Sequence, residues 1–129
     1  MSTDKERADA GLAIRKRVLG AETVERTLAG ADEYTQEWQD YVNRACWGEV
    51  WSRTDIEPRI RSLLTLAILA TLGKSTELQS HTRGAFANGC TVDEIKGVFF
   101  HVAVYAGVPA AFDAFRSTQP VVKEHTNGS

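Results

Sequence analysis

The chain has 129 residues, of which 43% are hydrophobic and 25% charged, with a formal net charge of −2. That is one domain of ordinary size, 1–129, long enough for a sizeable core, and the mix excludes wholesale disorder. A protein that neutralises phosphates is normally basic, so no nucleic-acid partner is expected.

Two cysteines, Cys46 and Cys90, stand 44 positions apart and form no C-x-x-C pair, so a secreted disulfide scaffold is not indicated. The N-terminus, Met1 to Arg7, is charged and lacks the apolar run of a signal peptide. The longest mostly apolar stretch, Leu63 to Leu72, is too short to cross a bilayer. A cytoplasmic protein without membrane contact is expected.

Helical signals run almost throughout. Asp4 is the candidate cap of a first helix running to about Leu19, ended by Gly20, and a short helix covers Ala21 to Leu28 before Gly30. Asp32 opens a segment with Trp38, Tyr41, Val42 and Ala45 on one face, which Gly48 ends or bends. Pro58 sits in the first turn of the next helix, where its missing N–H is harmless. From Arg59 to Leu72 this helix is apolar nearly all round, as expected inside a bundle or at a subunit interface. A helix from Ser75 or Thr76 ends at Asn88-Gly89, a left-handed cap. Thr91 and Glu94 form a capping box for a helix with Ile95, Val98, Phe99, Val102 and Tyr105 as its stripe. Gly107 to Pro109 breaks it, and a last helix covers about Pro109 to Ser117. The ends, about 1–5 and 120–129, read as frayed. No alternating strand appears, so the fold class is all-α, a bundle with short connections.

Four groups of residues suit acid–base or anion chemistry. His81 lies one turn after Leu78 and one before Ala85, beside the buried face, with Glu77 four residues earlier. It is either a proton donor or acceptor or a histidine satisfied at a packing boundary. His101 sits between Val98 and Tyr105 on its own apolar stripe, with the same two readings. Arg59 and Arg61 open the most apolar helix, and Arg61 falls on the line of Leu64, Thr65 and Ile68. A guanidinium fork there clamps a carboxylate or serves as a structural ion pair. Glu49 stands between Trp47 and Trp51, where indoles would desolvate it and raise its pKa. No H-x-x-x-H or H-E-x-x-H spacing exists, so no metal is expected, and nucleophilic triads and dinucleotide fingerprints are absent.

Five segments in this order resemble the 4-carboxymuconolactone decarboxylases. They are Trp47-Gly-Glu-Val-Trp-Ser-Arg53, Arg59-x-Arg61-Ser-Leu-Leu-Thr-Leu-Ala67, Glu77-Leu-x-x-His81, Asn88-Gly-x-Thr-x-x-Glu94-Ile, and Tyr105-Ala-Gly-Val-Pro-Ala-Ala111. Arg17-Val-Leu-Gly20 is similar to the family's N-terminal signature. The resemblance runs from about Arg15 to Phe115. It implies an alkylhydroperoxidase D-like helical fold, assembled as a homo-oligomer, typically a trimer or hexamer, with sites near subunit contacts. It also implies cofactor-free decarboxylation of a small-molecule carboxylate or lactone in the β-ketoadipate pathway of aromatic catabolism.

On that resemblance His81 is the first candidate for proton donor, with Glu49 or His101 as the alternatives, Arg61 is favoured over Arg59 to anchor a substrate carboxylate, and Glu49 assists. Arg59, Trp51, His101, Tyr105 and Phe112 then contact substrate. The segment before His81 lacks the C-x-x-C of the peroxidase relatives, so thiol peroxide reduction is not expected. Phe112 stands where the decarboxylases commonly carry a small polar residue, Thr54 replaces a proline and Cys90 a leucine. These departures leave open a paralogue acting on another, bulkier acid or lactone. A non-catalytic ligand-binding oligomer is the alternative from a different class.

Overall fold

The computed structural model describes residues 1–128, which among themselves form seven α-helices and one π-helix and no strand. The all-α expectation is met. No helix among them is long and apolar enough to cross a membrane. The chain divides into two compact units, 1–57 and 58–129, each with its own apolar cluster.

The first unit holds α1 (Asp4–Leu19), α2 (Ala21–Ala29), α3 (Gln36–Tyr41) and the π-helix Val42–Val50. Thr3, rather than Asp4, caps α1, in a reciprocal box with Glu6. Asp32 accepts from the N–H and hydroxyl of Thr35 and from the N–H of Tyr34, which holds its carboxyl below the usual carboxylate range and sets up the turn into α3. Gly48 does not end the helix after α3. The chain runs through it with i to i+5 bonding, and Trp51 N–H donates to Cys46 O at 3.0 Å. Close packing explains the glycine. A Cβ at Gly48 would stand 2.5 Å from Arg7 O, and one at Gly11 only 1.8 Å from Asn43 O. Here α1 and the π-helix touch backbone to backbone.

Around that contact Val18, Trp47 and Trp51 form the unit's cluster, the two indoles stacked with centroids 4.9 Å apart. Trp38 and Tyr41, read on one face of the helix, stack on each other at 5.9 Å and stay more than half exposed.

The second unit holds α4 (Pro58–Leu72), α5 (Ser75–Ala87), α6 (Val92–Ala106) and α7 (Val108–Asn127). α4 packs on the other three, and α7 on both α5 and α6. The core joins Leu66 and Ala70 of α4, Leu78 and Ala85 of α5, Ile95, Phe99 and Val102 of α6, and Ala114 of α7. Buried hydroxyls are satisfied inside their own helices. Thr82 donates to Leu78 O and Thr118 to Ala114 O, each at 2.7 Å. Asn88 Nδ2 donates to the buried Ser62 Oγ at 2.9 Å and ties the end of α5 to α4. The Asn88-Gly89 stop holds as read, with Gly89 at φ +91°. The Thr91–Glu94 capping box is present.

One expectation for this unit needs correction. The last helix runs to Asn127 and passes straight through Pro120. Its buried residues Ala111, Ala114, Thr118 and Val121 keep one face on the core beyond the proline. That burial outweighs one lost backbone bond. α4, in turn, is not covered all round within the chain. Ser62, Leu66 and Ala70 are buried, whereas Leu64, Ile68 and Leu72 on the opposite line are 46%, 58% and 62% exposed.

Candidate functional site

His81 lies in the middle of α5, half-buried between the fully buried turns at Leu78 and Ala85. Burial drives its pKa from 6.5 down to about 4, against a smaller upward pull from Glu77 one turn earlier. The imidazole of the free chain is therefore neutral at pH 7. Periodicity shows which face a histidine is on but not how much water that face loses.

Arg61 is half-buried on α4, and its carbonyl accepts from Thr65 Oγ1 at 2.8 Å. Leu64 and Ile68, on the line it shares, lie on the exposed side of α4. Arg59 has a structural occupation. Its guanidinium pairs with Glu94, whose carboxylate also accepts from Thr91 N–H at 3.0 Å. The Thr91 amide and the Arg59 charge together hold Glu94 below the usual carboxylate range. Cys90 Sγ donates to Arg59 O at 3.3 Å, so the start of α4 is fastened to the start of α6.

His101 and Tyr105 do not face the core. Both are exposed, with their rings 4.8 Å apart. The buried stripe of α6 is Ile95, Phe99 and Val102, and residues 101 and 105 fall on the far side of a 3.6-residue repeat from Phe99. Glu49 and Trp51 belong to the first unit. Glu49 is not hemmed by indoles. Its side chain is 53% exposed and lies 3.7 Å from Arg7 Nε, while Trp47 and Trp51 are spent on stacking each other in the core. The expected desolvation of Glu49 is thereby removed, and Trp51 is a core residue rather than a substrate wall.

The cysteines are separate and free, Cys46 exposed and Cys90 buried. Loss of water around the sulfur pushes both thiols up, at Cys46 against the opposing charge of Arg15 although the residue as a whole is exposed. Neither has the lowered pKa of a catalytic thiolate. Among the described residues no cluster of His, Cys, Asp or Glu could hold a metal ion.

Sequence reading missed a cavity of about 480 Å³ between α6 and α7. Ile95, Phe99, Phe112 and Phe115 form its walls, and its charged lining residues are Lys96, Arg116 and Lys123. Phe112 lies on this cavity. His81, Arg59, Arg61, His101 and Tyr105 are not among the residues that line it. The signal was present in the sequence, because Phe112, Phe115, Arg116, Gln119 and Lys123 recur at helical spacing. Ending the last helix at Ser117 concealed it.

Missed too was Arg15 in α1. Its guanidinium is buried, and Nη1 donates to Gln39 Oε1 at 3.0 Å and Asn43 Oδ1 at 2.9 Å. That holds α1 to the stretch from α3 into the π-helix by amide oxygens rather than a carboxylate.

The model of the carboxymuconolactone decarboxylase family matches residues 36–120. A 4-carboxymuconolactone decarboxylase of Acinetobacter baylyi is 40% identical over 121 residues, covering 94% of this chain and 90% of its own. A nitrosuccinic acid decarboxylase of Metarhizium robertsii is also 40% identical, over 116 residues, 90% of this chain and 81% of its own. Family match and near full-length identity agree with the five ordered segments around Trp47, Arg59, His81, Asn88 and Tyr105: the chain belongs to the carboxymuconolactone decarboxylase family.

Proposed function

We propose that the chain is a cofactor-free carboxy-lyase that removes CO₂ from 4-carboxymuconolactone or a closely similar small acid. The observation that carries this is the 40% identity to a 4-carboxymuconolactone decarboxylase over nearly the full length of both chains. The chemistry requires little of the protein beyond placement and a proton. The bond between the ring carbon and its carboxylate breaks. The electron pair passes through the ring double bond onto the lactone carbonyl oxygen, giving a dienolate. A proton then adds to carbon, and CO₂ departs. The electron sink is in the substrate, so no cofactor is called for.

In this reading Arg61 anchors one substrate carboxylate and His81 supplies the proton. The buried, neutral imidazole suits the task in a particular way. A dianionic substrate raises the proton affinity of a nearby imidazole, so His81 is loaded as substrate binds. The exposed line of Leu64, Ile68 and Leu72 beside Arg61 supports a homo-oligomer, trimeric or hexameric, in which a second copy closes this side. Glu49 is a weaker candidate for acid–base work given its exposure, and Arg59 one for substrate contact given its pairing with Glu94. A cytoplasmic location completes the proposal.

The nitrosuccinic acid decarboxylase relative favours a second reading of the substrate. A nitro group is an electron sink equivalent to the unsaturated lactone, so the same site would release CO₂ from a nitro acid. The deciding experiment offers both substrates side by side and measures CO₂ release and substrate loss. Turnover of the lactone at least tenfold more efficient than of nitrosuccinate is the expected result. The reverse ratio establishes the second reading. Binding of either compound without CO₂ release refutes both and marks a ligand-binding oligomer.

A further inference from the structure

The cavity between α6 and α7 is unused by the proposed chemistry, and its composition is one-sided. Three phenylalanines, Phe99, Phe112 and Phe115, wall it, with Phe99 and Phe115 edge to face at 5.3 Å. All three charged residues on its lining, Lys96, Arg116 and Lys123, are cations, and no carboxylate lines it. Arg116 is held in place from two sides. Its guanidinium lies 5.2 Å over the Phe112 ring and 3.4 Å from Asp113. Lys96 reaches Asp93 at 3.8 Å. Both acids are exposed and their pairs solvent-screened, so an anion entering the cavity competes with them at little cost. A volume of about 480 Å³ falls within the range of small-molecule sites and exceeds what a bare inorganic ion fills.

We propose that this cavity is a binding site for an amphipathic monocarboxylate, with an aromatic ring or medium-length acyl chain between the phenylalanines and its carboxylate on Arg116 and Lys123. The site is separate from His81 and Arg61, neither of which lines it. An apolar body alone would account for the walls but not for a rim carrying one sign of charge. An inorganic anion would account for the rim but not for the walls.

The test is calorimetric titration of the assembled wild-type protein with 2-naphthoate and decanoate, with 2-naphthalenemethanol as the uncharged control. The acids should bind at least tenfold more tightly than the alcohol. The double variant Arg116→Gln/Lys123→Gln should lose at least tenfold in 2-naphthoate affinity. Val122→Trp, which fills the cavity and leaves the cations in place, should abolish binding. Saturating 2-naphthoate should leave the KM of decarboxylation unchanged. Lack of binding by both acids overturns the proposal, as does equal affinity for acid and alcohol. Competitive inhibition overturns the separateness of the site. Calorimetry needs no turnover, so a failed assignment of the reaction leaves this test intact.

Discussion

Protonation of His81 should cost the folded state stability, and the cost follows from its burial. In the unfolded chain the imidazole titrates near 6.5, whereas in the folded chain burial lowers this to about 4. Between those values the unfolded state binds a proton that the native state does not. Stability is therefore unaffected by this group above pH 6.5, falls as pH drops through the interval, and levels off below about 4. The gap corresponds to a loss of roughly 3 kcal/mol across the interval. The perturbation is His81→Gln, which removes the titrating group while keeping a side chain that hydrogen-bonds. Urea unfolding at fixed protein concentration, at pH 7.5, 6.5, 5.5 and 4.5, should show wild type losing most of that amount relative to the variant. Proton NMR should show the His81 imidazole titrating near 4 rather than near 6.5. Parallel stability curves, or a His81 resonance with a midpoint near 6.5, would refute the reasoning.

The same depressed pKa makes substrate binding consume a proton, so KM should rise by up to tenfold per pH unit from 5.5 to 7 with kcat nearly flat. A pH-independent KM from steady-state kinetics contradicts loading of His81 by substrate. Arg61→Met should raise KM at least tenfold with a smaller effect on kcat, because a carboxylate clamp acts in both ground and transition states; an unchanged KM removes Arg61 from the site. Gly11→Ala should destabilise the first unit by about 2 kcal/mol or more, since its Cβ would collide with Asn43 O; an unchanged melting temperature denies the close helix contact. Replacing both Cys46 and Cys90 with Ser should leave kcat/KM within a few-fold, and a lost activity in a folded variant restores a thiol mechanism.

Local chemistry made most of the fold legible in sequence. The Thr91–Glu94 box, the Gly20 and Asn88-Gly89 stops and Pro58 in a first turn act within a few residues, so reading neighbours suffices. The family was legible for the same reason, because its segments are short strings in fixed order. Misreadings arose where distant residues decide. Gly48 looks like a breaker until α1 is seen to lie 2.5 Å from where its side chain would be. Pro120 looks like an end until Val121 is seen buried beyond it. Glu49, placed between two tryptophans, seemed desolvated, yet the indoles turn to each other and leave the carboxylate to water and Arg7. His101 and Tyr105 shared a stripe on paper, but the phase of α6 against its neighbours turns them outward. Sequence by itself determined the helices, the family and the residue types available for chemistry, since these depend on local propensity and order. Only the tertiary structure decided which side chains lose water, and with that the neutral state of His81 and the cationic cavity beside Phe112. Desolvation is set by everything packed around a group, and no window of sequence contains it.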